Sequence, residues 1–313
     1  MPHPTRRDVL IAAAAAAATL APKPAQAAAR TAGGKKPTLC LFSKPLPFLG
    51  YSEMGKVLSE MGIPGVDLTT RPSGHVLPEN VERDLPKAQA DLKNHGIEIS
   101  MITTGLTSIE DPAARPTLYT AARLGVPFFK LGYYRYKDVS QLDSTLAEVK
   151  REVEGLAGLA QHAGIQGGFH NHSGAYVGAA MWDHWWALRD ADPRWMGFYF
   201  DPMHATVEGG GAGWKIGFQR LVSRLKMVSV KDFFWEKRAG KWTHDVCPLG
   251  EGMVDLPEFF RTLAATAFDG PITLHVEYEI QGPTESARRD NTLAAIEKDY
   301  QYLKKICDEV YGA

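Results

Sequence analysis

Three observations predict a single α/β domain, a (β/α)8 TIM barrel. Short β-rich runs alternate with longer segments of helical periodicity, and eight such pairs follow residue 37, the order that builds a parallel sheet from βα units. Several helical segments stop at glycine just before the next run, as in Asn94-His95-Gly96, Leu124-Gly125 and His162-Ala163-Gly164. Glycine there supplies the left-handed cap that ends a helix. No β-rich run leads into a Gly-x-Gly-x-x-Gly turn or a Walker-type lysine loop, which argues against the rival doubly wound sheet.

In chain order, residues 1–28 read as a signal peptide. Thr5-Arg6-Arg7-Asp8-Val9-Leu10 forms a basic start, an alanine-rich apolar run follows through Leu20, and Ala25-Gln26-Ala27 has the pattern of a cleavage site. The apolar run is too short to span a bilayer, so a periplasmic or secreted protein without a membrane span is expected. The adjacent arginines resemble a twin-arginine signal. Residues 29–36 read as a polar linker and 37–313 as the barrel. Removing residues 1–28 leaves 285 residues, against about 250 for a typical barrel of this type.

The expected strands are 38–43, 65–70, 97–104, 127–133, 165–171, 196–201, 226–231 and 271–277, with no Asn-Gly hairpin joining any two. Helical stretches are expected at 54–61, 91–94, 142–162 and 285–310. In the third of these, Leu146, Val149, Val153, Leu156 and Leu159 recur at helical spacing. The Gly209-Gly210-Gly211 run reads as a flexible loop, and Trp182 to Trp186 mostly as helix core.

Composition bounds the function. The chain is 44% hydrophobic and 23% charged with a formal net charge of -1, so no basic field draws it to nucleic acid or an anionic membrane. Cys40, Cys247 and Cys307 are widely spaced and form no CxxC pair, which removes a zinc ribbon or redox motif.

In such a barrel the active site is built at the C-terminal strand ends. Those ends carry Ser43-Lys44, Thr70-Arg71, Thr103-Thr104, Lys130 with Tyr133, His170-Asn171-His172, Asp201 with His204, Lys231-Asp232, and His275 with Glu277. Polar groups at every end point to a shared pocket. Residues two apart on a strand face the same side, which pairs His170 with His172, Ser229 with Lys231, and His275 with Glu277. Asp201, Glu277 and a histidine such as His170 suit a divalent cation, Mn, Co, Zn or Mg, which takes oxygen and imidazole ligands from separate elements. Taken singly, His275 reads as a hydrogen-bonded core histidine, and His95 and His162 as helix-end residues, rather than as ligands.

These motifs resemble the xylose isomerase-like barrels, also described as sugar phosphate isomerases/epimerases, which share their fold with apurinic-site endonucleases. The resemblance spans nearly all of the chain after the linker. It rests on Gly168-Phe169-His170-Asn171-His172, Phe200-Asp201-Pro202-Met203-His204, Val228-Ser229-Val230-Lys231-Asp232, Pro248-Leu249-Gly250-Glu251-Gly252 and Leu274-His275-Val276-Glu277-Tyr278. It implies one divalent metal held by a Glu, an Asp, a His and a Glu from the last four strands. Asp201 and Glu277 match the second and fourth positions. His170 stands where the first Glu is expected and Ser229 where the His is expected, so three outcomes stay open: His170 or His204 completes the set, the metal binds weakly, or it is absent.

The implied reaction is isomerisation, epimerisation or a related elimination on a sugar or keto-sugar, by proton abstraction next to a carbonyl, and the export pattern makes a non-phosphorylated substrate the expected one. Glu277, His172 and Lys231 are the expected acid/base and oxyanion-stabilising groups, although Lys231 serves equally as a salt-bridge partner of Asp201 or Glu277. Lys130, His204 and Trp235 are expected to bind substrate. Phe233 to Trp235 and Trp214, in expected loops, suit the C–H faces of a sugar or a dimer surface. The alternative is a non-catalytic carbohydrate-binding barrel. A nuclease is disfavoured by the neutral charge and by Thr70-Arg71 and Thr103-Thr104, where extra metal-binding histidines are required.

Overall fold

The computed structural model describes residues 36–312. The expected signal peptide and nearly all of the expected linker lie outside the described residues. Eight parallel strands close a barrel in the order β1-β10-β7-β6-β5-β4-β3-β2. They are β1 (Leu39–Phe42), β2 (Gly65–Thr70), β3 (Glu98–Thr104), β4 (Phe128–Lys130), β5 (Gln166–His170), β6 (Met196–Phe200), β7 (Leu225–Val230) and β10 (Ile272–Leu274). Around them run α1 (Tyr51–Glu60), α2 (Val81–Lys93), α3 (Ala114–Arg123), α4 (Leu142–Ala163), α5 (Met181–Leu188), α6 (Pro202–Leu221), α7 (Leu256–Ala264) and α8 (Glu285–Tyr311). The predicted (β/α)8 TIM barrel is the observed fold.

The expected stripe on α4 is the buried one: Val149, Val153, Leu156 and Leu159 all face the core. Gly164 closes that helix at φ 82°, a left-handed conformation that costs glycine nothing. Inside the barrel, Met101, Tyr199 and Met227 form a separate, fully buried cluster, so the lower barrel is packed rather than open. Gly168 on β5 makes room for it, since a Cβ there would collide with Met227 Cε.

Two elements differ from expectation. The triple glycine is not a loop after β6 but lies inside α6, where Gly210, at φ 60° and ψ -164°, joins two helical stretches across a kink. Beyond the kink, Trp214 is only 4% exposed and packs against Phe200, Phe218 and Phe259. Each such ring contributes on the order of 1.5–3 kcal/mol by burial, enough to hold the helix together despite its glycines. Trp214 is therefore a core residue and not a sugar platform.

The second difference is an antiparallel hairpin, β8 (Asp232–Arg238) and β9 (Lys241–Cys247), projecting beyond β7. Its turn, Ala239-Gly240, has both residues at positive φ, 47° and 81°, the geometry that matches strand twist in a two-residue hairpin. Phe233 to Trp235 thus lie on a strand. On α5, Trp182 is 58% exposed and Trp186 37%, so these rings lie on the surface rather than in the core. The three cysteines are free and buried. Among the described residues no helix is long and apolar enough to cross a membrane.

Candidate active site

The ends of β5 and β6 are tied together before any chemistry is considered. Asn171 Nδ2 donates to the Asp201 carbonyl (2.9 Å) and the Asp201 N–H donates to Asn171 Oδ1 (2.8 Å). Asp201 then caps α6, its Oδ1 accepting from the His204 N–H at 3.1 Å, with Pro202 as the first helical residue. The Asp-Pro pair is therefore a helix-start signal as well as a site feature. Capping fixes one carboxylate oxygen and aims the other, Oδ2, at the barrel axis.

Around Asp201 Oδ2 the hydrogen bonds run in one direction. The Ser229 hydroxyl donates to it (2.8 Å), His170 Nε2 lies 3.3 Å from it and 3.0 Å from Ser229 Oγ, and the Tyr133 hydroxyl reaches His170 Nδ1 at 2.9 Å. With Ser229 donating to Asp201, His170 Nε2 carries the proton and Nδ1 accepts from Tyr133. Burial holds the His170 imidazole well below its ordinary pKa despite Asp201, so it is neutral.

Lys231, from the end of β7, reaches between the carboxylates of the two flanking strands. Its Nζ lies 2.8 Å from Glu277 Oε2 and 3.4 Å from Asp201 Oδ2, and the side chain is 4% exposed. Burial opposes its charge, but Glu277 and Asp201 outweigh that and raise its pKa. Reciprocally, burial would raise both carboxyls, yet the ammonium, with neighbouring histidines and with Lys44 beside Glu277, holds both well below the usual carboxylate range. Lys44 ion-pairs with the other oxygen of Glu277. His275 stacks on Phe42 (4.4 Å between centroids), receives or gives a hydrogen bond at Tyr199 Oη (3.1 Å) and lies 3.5 Å from Glu277. It is the hydrogen-bonded core histidine of the sequence reading.

His172 is the half-exposed histidine of this group. Its Nδ1–H donates to the Ser173 carbonyl at 2.9 Å, which leaves the lone pair on Nε2. Burial lowers its pKa to about 4. Its ring lies 3.9 Å from that of His204 and 5.0 Å from that of Tyr133. His204 is held through Nδ1 by Ser173 Oγ (2.9 Å), while its buried Nε2 has no partner.

Two further groups sit across the mouth. Lys130 is buried at the end of β4 with Nζ 3.6 Å from the centre of the Tyr133 ring and 2.6 Å from the Leu131 carbonyl. Burial, then repulsion from Arg71, lowers it to about 7. Asp67 on β2 accepts from Thr103 Oγ1 at 2.8 Å, and burial raises it to about 7. Asp67 was not anticipated, although alternation puts it in phase with Thr69.

Of the expected site residues, His170, His172, Asp201, His204, Lys231 and Glu277 are brought together, with Lys130 across Tyr133. Trp235 is not placed with them; its aromatic neighbours are Phe233 and His244 in the hairpin. Beside Glu277 a cavity of about 410 Å³ opens, bounded by Lys44, Phe48, Tyr278, Ile280 and Arg288, a volume in the range of small-molecule sites.

The expected divalent metal does not fit this donor set. The space between Asp201 and Glu277 holds an ammonium, Ser229 and His170 spend their polar atoms on each other and on Tyr133 and Asp201, and among the described residues no three His, Cys, Asp or Glu side chains are arranged to hold a metal ion.

The profile of a protein family described as xylose isomerase-like TIM barrel matches residues 56–306. No curated protein matches the chain. Among solved structures, the chain is similar to a xylose isomerase domain protein from Planctomyces limnophilus (15% identity, 89% of this chain and 100% of that one, TM-score 0.67). It is also similar to D-psicose 3-epimerase with D-tagatose from Clostridium cellulolyticum H10 (11% identity, 86% and 99%, TM-score 0.65). A third is a xylose isomerase-like TIM barrel protein from Mycobacterium smegmatis in complex with magnesium (14% identity, 83% and 89%, TM-score 0.61).

Proposed function

Because the chain belongs to the xylose isomerase-like TIM barrel family, we propose that it is an isomerase or epimerase, or a related lyase, that moves a proton next to the carbonyl of a non-phosphorylated sugar or keto-sugar. The observation that carries this reading is His172. Its Nδ1–H is committed to Ser173, and its low pKa leaves Nε2 unprotonated at neutral pH, beside a buried ammonium.

A base and a fixed positive charge are what enolisation needs. His172 Nε2 takes the proton from the carbon beside the carbonyl, that C–H pair becomes a C=C bond, and the carbonyl π pair moves onto oxygen. Lys231 stabilises the oxyanion. Protonation of the same carbon from the opposite face by a second donor, water or a substrate-contacting side chain, with the His172 proton released to solvent, gives an epimer. Transfer of the hydroxyl proton to the enolate oxygen, followed by donation from His172 to the former carbonyl carbon, gives an isomer. Loss of a hydroxide from the next carbon, protonated as it leaves, gives elimination. Glu277 is ionised and too weak a base to compete with His172; it orients Lys231 and accepts from a substrate hydroxyl. Lys130 and His204 Nε2 are the remaining polar contacts for sugar oxygens.

A non-phosphorylated substrate and a periplasmic or secreted location rest on the export pattern of residues 1–28, since phosphorylated metabolites are kept inside the cell. A ketohexose is the first class to try, because the epimerase with D-tagatose shares the fold. Incubation with a panel of keto-sugars, followed by chromatography, should show conversion of at least one. His172→Ala should slow it by about 10²–10⁴-fold, the usual contribution of a positioned base. Binding of sugars without conversion of any would replace this reading with a carbohydrate-binding barrel.

A further inference from the structure

We infer that Lys231 is the site's built-in cation, occupying the place between Asp201 and Glu277 that a divalent ion would take, so that the protein works without a metal. Its role toward the oxyanion rests on the function proposed above; its exclusion of a metal does not.

Position in the barrel comes first. The closed sheet runs β10-β7-β6, so a side chain rising from the end of β7 stands between Glu277, beyond β10, and Asp201, beyond β6. Lys231 is that side chain, and its Nζ reaches both carboxylates, at 2.8 and 3.4 Å. Glu277 Oε1 is taken by Lys44 and Asp201 Oδ1 by the His204 backbone N–H. A divalent ion bound to the facing oxygens would lie against a like charge that is itself 4% exposed and has no solvent into which to retreat.

The groups at the other two expected ligand positions, Ser229 and His170, are also spent. Ser229 donates to Asp201 and accepts from His170 Nε2–H, and the His170 Nδ1 lone pair accepts from Tyr133. The imidazole nitrogens left over are scattered: His204 Nε2 lies 3.8 Å from Asp201 Oδ2, His275 Nδ1 lies 3.5 Å from Glu277 Oε2 on the far side of Lys231, and His172 Nε2 faces the mouth. An ammonium carries three N–H donors. One is donated to Glu277 at 2.8 Å, a second faces Asp201 Oδ2 at ion-pair distance, 3.4 Å, and the third is left for an oxygen of the substrate. A metal's charge is thereby replaced by a hydrogen-bond donor that needs no loading.

The test is Mn²⁺ titration of the whole protein, followed by electron paramagnetic resonance and calorimetry, for the wild type, Lys231→Ala, Lys231→Gln and Asp201→Asn. The wild type should bind no stoichiometric Mn²⁺. A folded Lys231 variant should bind it about tenfold or more tightly than the wild type, because a like charge has been removed from a carboxylate pair. One Mn²⁺ per wild-type chain, lost in Asp201→Asn, overturns the inference without reference to any Lys231 variant. Folded Lys231 variants that bind no better than the wild type also overturn it, since the carboxylates would then be no cation site. Binding is read without sugar, so failure here is distinct from failure to find turnover.

Discussion

At the scale of single residues, the site separates its protonation states by environment. His172 is neutral down to about pH 4 because burial disfavours its imidazolium. As the base it must be unprotonated, so the acid limb of kcat/KM for the free protein is expected near pH 4 rather than near the ordinary histidine value; a pH–rate profile checks this, and a limb near 6.5 would remove His172 from the role. Tyr133→Phe leaves His170 Nδ1 without its donor in a buried network, an expected loss of about 1–3 kcal/mol in chemical denaturation. Alternation along strands was enough to gather His170, His172, Lys231 and Glu277 on one side. What it could not show was who pairs with whom: the Lys231 bridge depends on side-chain reach across neighbouring strands, and Asp67 was hidden within a strand read only at its end.

Among the elements, the hairpin and its loop are the least independent. Asp232 is fully buried, and its two oxygens accept from the backbone N–H groups of Phe233, Gly250, Gly252 and Val254 at 2.8 to 3.1 Å. This carboxylate holds the Pro248-Leu249-Gly250-Glu251-Gly252 segment against the base of β8. Asp232→Ala should therefore cost about 3–5 kcal/mol, the range for removing a buried hydrogen-bonded charge, seen as a lower Tm. A shift within error would mean the segment is held by other contacts. The hairpin was illegible because its turn is Ala239-Gly240, without the Asn-Gly signal. The triple glycine misled for a related reason: weak helix propensity was overridden by burial of Trp214 and Phe218. Gly210→Ala should destabilise by about 1–3 kcal/mol, since its φ of 60° with ψ near 180° is a conformation that essentially only glycine adopts.

For the molecule as a whole, β–α alternation and glycine caps made the barrel legible, because both follow from local chemistry repeated along the chain. The metal expectation came from Asp201, Glu277 and the histidines and was sharpened by the resemblance, and the altered residues at two of four positions, His170 and Ser229, are the sequence sign on which the metal-free proposal builds. The histidines at the mouth also set the acid behaviour of the fold. His170, His172 and His204 are neutral when folded, with pKa values below their unfolded value near 6.5. Below pH 6.5 the unfolded chain binds protons that the folded chain refuses, so stability falls as pH drops from 6.5 toward 4. Asp67 works the other way, since its raised pKa means the folded state gains a proton first as pH falls from about 7. His75, His184 and His275 are lowered by burial as well, and Asp183 and Asp299 are raised by it. Six histidines against three carboxyls predict a lower Tm at pH 5 than at pH 7, and an unchanged or higher Tm would show that these imidazoles are not held neutral.

The central claim, that His172 moves a proton beside a sugar carbonyl with Lys231 in place of a metal ion, is tested most directly by deuterium uptake. Keto-sugars are incubated with the protein in D₂O and excess chelator, and the hydrogen on carbon next to the carbonyl is followed by NMR. The account predicts deuterium at that carbon for at least one sugar, slowed about 100-fold or more by His172→Ala. No uptake in chelator that returns on adding a divalent metal, or uptake indifferent to His172→Ala, would contradict it.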